Sequence, residues 1–253
     1  MTSTRSAAVL RALHRPGHPL ILPNAWDAGS ARAVAAAGFP AVATSSAAVA
    51  ESLGHTDGEA TPVAEMLAAV ARVVRAVAVP VTADLERGYG LPPAELVERL
   101  LATGAAGLNL EDSEPGTGRL CEVDEQADLL AAVRAAAGPD LVVNARVDVF
   151  LRAAGDPARA FDEAVRRASR YRAAGADCVY PILLADPELV GRFVAAVDGP
   201  VNVLLRPGTP GVGELARLGV ARISLGSGVY GAARARTAGM LDALRGGGDP
   251  FAG

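Results

Sequence analysis

Cysteine is scarce in this sequence: two residues among 253, Cys121 and Cys178, in no CxxC or other metal-ligand spacing. That argues against a disulfide framework and a thiolate metal centre, and it favours a reducing, cytoplasmic setting. Basic charge is also short. The formal net charge is −4 and the pI about 5.5, with no basic block and no basic stripe interleaved with aromatics, which speaks against nucleic-acid binding. No uncharged apolar run approaches the ~20 residues that span a bilayer. The opening MTSTRSAAVLRALHRPGHP holds only the short apolar run AAVL, so neither a membrane span nor a secretory signal is expected. No GxGxxG follows the first apolar run, which removes the strongest mark of a dinucleotide-binding open sheet.

What the sequence has is apolar bulk in a regular alternation. Hydrophobic residues make up 51% of it, enough to bury a full core. Short β-rich runs at 20–24, 41–45, 79–84, 107–112, 141–146, 177–181, 200–205 and 222–226 alternate with Ala/Leu/Arg stretches whose apolar residues recur every three or four positions. Gly38, Gly104, Gly175 and Gly219 stand where helices hand over to strands, and GDP (155–157) and ADP (185–187) read as helix starts. Strand then helix, eight times without a composition break, predicts one α/β domain, a single (β/α)8 TIM barrel over 1–253 with 229–253 as last helix and tail. A doubly wound open sheet is the alternative.

In such a barrel the chemistry gathers where the strands end. Those ends carry Asn24, Trp26 and Asp27; Thr44, Ser45 and Ser46, with Glu51, His55 and Asp57 in the following loop; Asp84 and Glu86; Glu111 and Asp112; Asn144, Arg146 and Asp148; Tyr180; Asn202 and Arg206; Ser224 and Ser227. Four or five carboxylates converging on one mouth repel unless a cation lies between them. Only oxygen ligands are offered, which suits Mg²⁺, with Mn²⁺ as a substitute. The Arg146 fork suits a carboxylate or phosphonate. Ser45, Ser46 and Ala47 add hydroxyl and N–H donors, and Asn202 is counted with the substrate-facing groups. The expected ligand is a small dianionic acid bridged to the metal. Simpler uses compete: Asp27 as a helix cap, Glu86 and Asp112 as solvated loop acids, Arg146 in a buried pair with Asp148, Asn202 serving backbone groups inside the barrel, and His55 as a loop histidine.

Six stretches together carry a resemblance: LPNAWDAGSARAVAAAGFPAVATSSAAVAESLGHTD, VPVTADLERGYG, GAAGLNLEDS, VVNARVDVF, GADCVYP and GVARISLGSGVYGAA. In order and spacing they resemble the isocitrate lyase / phosphoenolpyruvate mutase superfamily over nearly the whole chain. The resemblance implies that Asp84 is the principal Mg²⁺ carboxylate. Glu86 (usually Asp), Glu111 and Asp57 would act on the metal mainly through waters. Ser45, Ser46 and Ala47 would bind the substrate carboxylate, and Arg146 the substrate. Asp57, Glu111 and Arg146 are the catalytic candidates. The implied chemistry is a metal-stabilised enolate from a 2-oxo acid, with a C–C or C–P bond broken at C3, and the implied assembly is a homo-oligomer, dimer or tetramer. One departure matters. The lyase loop motif K-K/R-C-G-H is absent, and EDSEPGTGRLCEVDEQ stands there instead, with Cys121 between Leu120 and Glu122. A C–C lyase or decarboxylase is therefore expected first, a phosphonate enzyme second, and a non-catalytic 2-oxo acid binder third.

Overall fold

The computed structural model describes residues 3–152 and 157–252. Its strands are β1 (Leu20–Leu22), β2 (Asn24–Ala25), β3 (Val42–Thr44), β4 (Val81–Asp84), β5 (Gly107–Glu111), β6 (Val142–Val147), β7 (Cys178–Pro181), β8 (Asn202–Leu204) and β9 (Arg222–Ser224). The helices are α1 (Ser3–Ala12), α2 (Ala28–Ala36), α3 (Ser46–Ser52), α4 (Val63–Ala76), α5 (Pro93–Thr103) and α6 (Val123–Ala137). They continue with α7 (Val149–Arg152), α8 (Pro157–Ala173), α9 (Pro187–Ala196), α10 (Val212–Arg217) and α11 (Gly228–Arg245).

All pairings between these strands are parallel, in the order β2-β3-β4-β5-β6-β7 and β1-β9-β8. The parallel bridge Val179↔Val201 joins β7 to the start of β8. The ring of a (β/α)8 barrel is completed where β1 runs into β2. The first predicted strand is thus two short ones. Pro23 has no N–H to give to the ladder, so the chain changes partner there: Leu20–Leu22 register on Arg222–Ser224, and Asn24–Ala25 on Ala43–Thr44.

Alternation along the strands sorts the side chains. Ala83, Leu108, Leu110, Val143, Ala145, Val179, Val203 and Ile223 belong to the main core shared with the helices. The residues between them turn into the barrel: Thr82 and Asp84, Asn109 and Glu111, Asn144 and Arg146, Cys178 and Tyr180, Asn202 and Leu204, Arg222 and Ser224. The foot of the barrel is apolar, with Leu10 of α1 packed on Leu20, Leu22, Ala43 and Val142. Gly107 is required there, because a Cβ would lie 2.7 Å from the Val142 carbonyl oxygen.

Helix α11 differs from the others. None of its residues is buried, and Leu241 and Leu244 are 61% and 56% exposed. It touches the barrel through Tyr230, edge-on to Trp26 at 5.1 Å, and through an Arg234–Glu51 ion pair. Among the described residues no helix is long and apolar enough to cross a membrane.

Candidate active site

The end of β4 is tied to the end of β3. The Thr44 hydroxyl accepts from the Asp84 N–H at 2.9 Å, and Ser46 donates to Asp84 Oδ2 through its N–H (3.0 Å) and its hydroxyl (2.9 Å). Asp84 Oδ1 has only a long contact from Asn109 Nδ2, 3.4 Å. Ser45 caps α3, its hydroxyl accepting from the Ala48 N–H at 3.4 Å. Asn24 fastens the neighbouring corner, donating to the Thr44 carbonyl at 2.8 Å and accepting from the Leu225 N–H at 2.9 Å. Asp27 caps α2 in a capping box with Ser30.

Beyond Asp84 the chain winds through left-handed conformations at Glu86, Gly88, Tyr89 and Gly90, with φ of 50°, 101°, 58° and 63°. Two of these are not glycine, and each such residue costs ~1–2 kcal/mol. Hydrogen bonds hold the turn in place. Glu86 Oε2 accepts from the N–H groups of Gly58 (2.8 Å) and Glu59 (2.7 Å), and its Oε1 accepts from the Tyr89 hydroxyl (2.7 Å). Glu59 Oε1 in turn accepts from the N–H groups of Arg87 (3.0 Å) and Tyr89 (2.7 Å). Glu86 therefore points at the 57–59 loop. Burial pushes its carboxyl up to about 7, against the lowering effect of the Tyr89 hydroxyl.

Arg146 is fixed by acids. Its Nε and Nη2 donate to the two oxygens of Asp148 at 2.6 and 2.8 Å, and Nη2 also lies 2.5 Å from Glu111 Oε2. The buried-pair reading of Arg146 and Asp148 thus describes its contacts, yet the guanidinium also lines the cavity, where Nη1 makes no hydrogen bond to the described residues. Although burial disfavours its charge, Asp148 and Glu111 keep this guanidinium protonated far beyond its ordinary range. Burial raises the Glu111 carboxyl despite Arg146, and Asp148, Asp84 and Glu86 add to the rise. Asp112 faces away, under α8: its oxygens accept from the Asp148 N–H, Arg167 Nη1 and the Tyr171 hydroxyl.

A cavity of about 750 Å³ opens at this end of the barrel. Of the residues expected at the site, Ser45, Ser46, Ala47, Asp57, Asp84 and Arg146 line it, while Glu86, Glu111 and Asn202 do not. Glu86 is held by the 57–59 loop and Glu111 by Arg146. Asn202 lies inside the barrel, accepting from the Ser224 hydroxyl at 3.2 Å. Asp57 stands at the rim, where surrounding protein and the charge of Asp84 raise its carboxyl. His55 meets Glu65 at 3.4 Å, and Cys121, within the 113–122 loop, is buried; neither lines the cavity. Burial pushes the Cys121 thiol up to about 11. Asn109, Ile182, Leu204, Leu205 and Val229 line the cavity and were not among the candidates. Asn109 was visible as a polar residue two positions before Glu111, whereas the apolar ones carry no chemical signature.

Residues 10–245 match the family model described as phosphoenolpyruvate phosphomutase. The chain is 31% identical over 237 residues to phosphoenolpyruvate phosphomutase of Streptomyces hygroscopicus, covering 87% of this chain and 74% of that one. It is 28% identical over 213 residues to 2-methylisocitrate lyase of Escherichia coli, covering 75% and 70%. Among solved structures, a Burkholderia cenocepacia J2315 protein provisionally assigned as a phosphonomutase superposes with a TM-score of 0.90 at 47% identity, covering 94% of this chain and 99% of that one.

Proposed function

Since the chain belongs to the phosphoenolpyruvate mutase/isocitrate lyase superfamily, we propose that it is a Mg²⁺-dependent enzyme that breaks a bond at C3 of a small 2-oxo acid, first of all a C–C bond. The carrying observation is Asp84 in the cavity wall: one oxygen is pinned by Ser46, the other is nearly free, with Asp57 and Arg146 on the same cavity.

The donors fit a hard divalent ion. All are oxygens, and loss of solvent together with neighbouring acids raises the Asp57 and Glu111 carboxyls, against the lowering charge of Arg146. Among the described residues no three acidic, His or Cys side chains converge into a cage, and Mg²⁺ is ordinarily held by one or two carboxylates with waters and substrate oxygens. Asp84 would hold it, with Asp57 and Glu111 acting around it, and Mn²⁺ would substitute. Bound there, the ion supplies a Lewis acid against the negative charge that develops on the 2-oxo oxygen as the C3 bond breaks.

The chain's own groups do the rest. Ser46 fixes the Asp84 rotamer, and Asp148 fixes the plane of the Arg146 guanidinium so that Nη1 is offered to a substrate carboxylate. Burial pushes the Tyr180 phenol up to about 12, so at neutral pH it keeps its proton and faces the cavity as a donor. All 24 basic residues are arginine, so no lysine can form a Schiff base with the 2-oxo group. Cys121 lies off the cavity and serves as no acid.

C–P cleavage of a phosphonate is the second reading, favoured by the likeness to a phosphoenolpyruvate phosphomutase. Purified protein is to be incubated with a panel of 2-oxo acids, 2-methylisocitrate and phosphonopyruvate, with and without Mg²⁺, beside Asp84→Ala. Mg²⁺-dependent loss of a 2-oxo acid that Asp84→Ala abolishes is the expected result. Turnover unchanged by that substitution at saturating Mg²⁺ would sink the assignment.

A further inference from the structure

The inward positions of the upper barrel divide into two halves of different character. Strands β4 to β6 present Asp84, Glu111 and Arg146; strands β7 to β9 present Tyr180, Leu204 and Ser224. Above the second half the cavity wall continues as Ile182, Leu205 and, from α11, Val229, with Leu151 of α7 closing the side. Charged groups thus crowd one side of the cavity, and the other mixes aliphatic carbon with the neutral hydroxyls of Tyr180, Ser224 and Ser227.

Cationic groups are distributed just as unevenly. Among the described residues two cations line the cavity, Arg146 and Arg206. Arg146 belongs to the acidic side and is shared by Asp148 and Glu111. Arg206 is exposed at the rim. Arg222, the inward cation of β9, is fully buried and does not line the cavity. A carboxylate or phosphonate pushed against Leu204, Leu205 and Ile182 would lose its water with no buried cation to replace it and only the neutral Tyr180 and Ser224 hydroxyls nearby, which is unfavourable. An aliphatic group there gains roughly fourfold in affinity per buried methylene.

We infer that the ligand is a 2-oxo acid with a single anionic end, held on the Asp84–Arg146 side, and an uncharged branched aliphatic group on a hydroxyl-bearing C4 that packs on Leu204, Leu205 and Ile182. The C3–C4 bond then breaks with its electron pair going to C3, the C4 hydroxyl loses its proton, and C4 departs as a carbonyl compound. This rests on the 2-oxo acid reading above and narrows it, setting aside the dianionic ligand expected from the acids alone.

The test is calorimetric binding to the whole chain in Mg²⁺, with four probes: oxalate, pyruvate, oxaloacetate and 4-methyl-2-oxopentanoate. Oxalate chelates as the enolate of pyruvate would and has no C3 group, so it reports the metal end alone. Oxalate should bind, and 4-methyl-2-oxopentanoate should bind at least tenfold more tightly than pyruvate, with oxaloacetate no tighter than pyruvate. Leu204→Asn should erase the tenfold preference and leave oxalate binding intact, which also shows that the variant is folded. Oxalate binding with oxaloacetate preferred, and that preference lost in Arg206→Ala, would overturn the inference while leaving the 2-oxo acid reading standing. Failure of oxalate to bind in Mg²⁺ would overturn both.

Discussion

Glu59 and Glu86 brace each other's loops. Each carboxylate accepts two backbone N–H groups from the segment that carries the other, Glu86 from Gly58 and Glu59, and Glu59 from Arg87 and Tyr89. The brace spans the two segments that present Asp57 and Asp84, and it offsets the left-handed conformations of Glu59, Glu86 and Tyr89.

Removing one side of that brace should loosen both segments. Glu59→Ala leaves the Arg87 and Tyr89 N–H groups without their acceptor, at a cost of about 2 kcal/mol. Glu59→Gln keeps an acceptor oxygen and should recover most of it. Urea unfolding of the two variants beside the parent reads this directly; an alanine variant as stable as the parent would show that the turn stands without the brace.

Arg146→Lys should raise KM about tenfold, ~1.4 kcal/mol, with a smaller change in kcat. Lysine keeps the charge but cannot hold both oxygens of Asp148 while offering a further donor to the substrate. Steady-state kinetics on the substrate found by the panel decides it, and lysine serving as well as arginine would reduce Arg146 to a structural role.

Acid should destabilise the fold through His14. Burial first, and then the charge of Arg222, lower this imidazole from 6.5 to about 4. The unfolded chain therefore binds the proton more readily than the folded one. The stability this group contributes is complete above pH 6.5 and is lost as the pH falls through 4. The loss amounts to about 3 kcal/mol at most. Thermal melts from pH 7 to pH 4 should show His14→Gln losing less than the parent over that window, and parallel curves would remove His14 as the cause.

Helix α11 has no buried residue in one chain, and an 18-residue helix rarely persists without a packed face. The homo-oligomer implied by the family resemblance would supply one. Leu241→Glu with Leu244→Glu should convert the sedimenting species to a monomer. A parent chain that sediments as a monomer at micromolar concentration would rule the assembly out.

Much of this molecule was legible along the chain. The alternation of β-rich and helical runs specified the barrel, because the strand face that packs on the helices has little choice but Val, Ile, Leu and Ala. A polar residue at the end of such a strand has no packing reason to be there, so Asp84, Ser46 and Arg146 stood out. Other features were decided only by the tertiary structure. Glu86 and Glu111 are as acidic in sequence as Asp84, but their directions depend on where the Gly58 N–H and the Arg146 guanidinium arrive from elsewhere in the chain. The break of the first strand at Pro23 depended on two partners, β9 and β3, that are far apart in sequence. The aliphatic side of the cavity was the hardest to read. Leu204 and Val203 are equally apolar, and only strand parity within the closed ring puts one in the cavity and the other in the core.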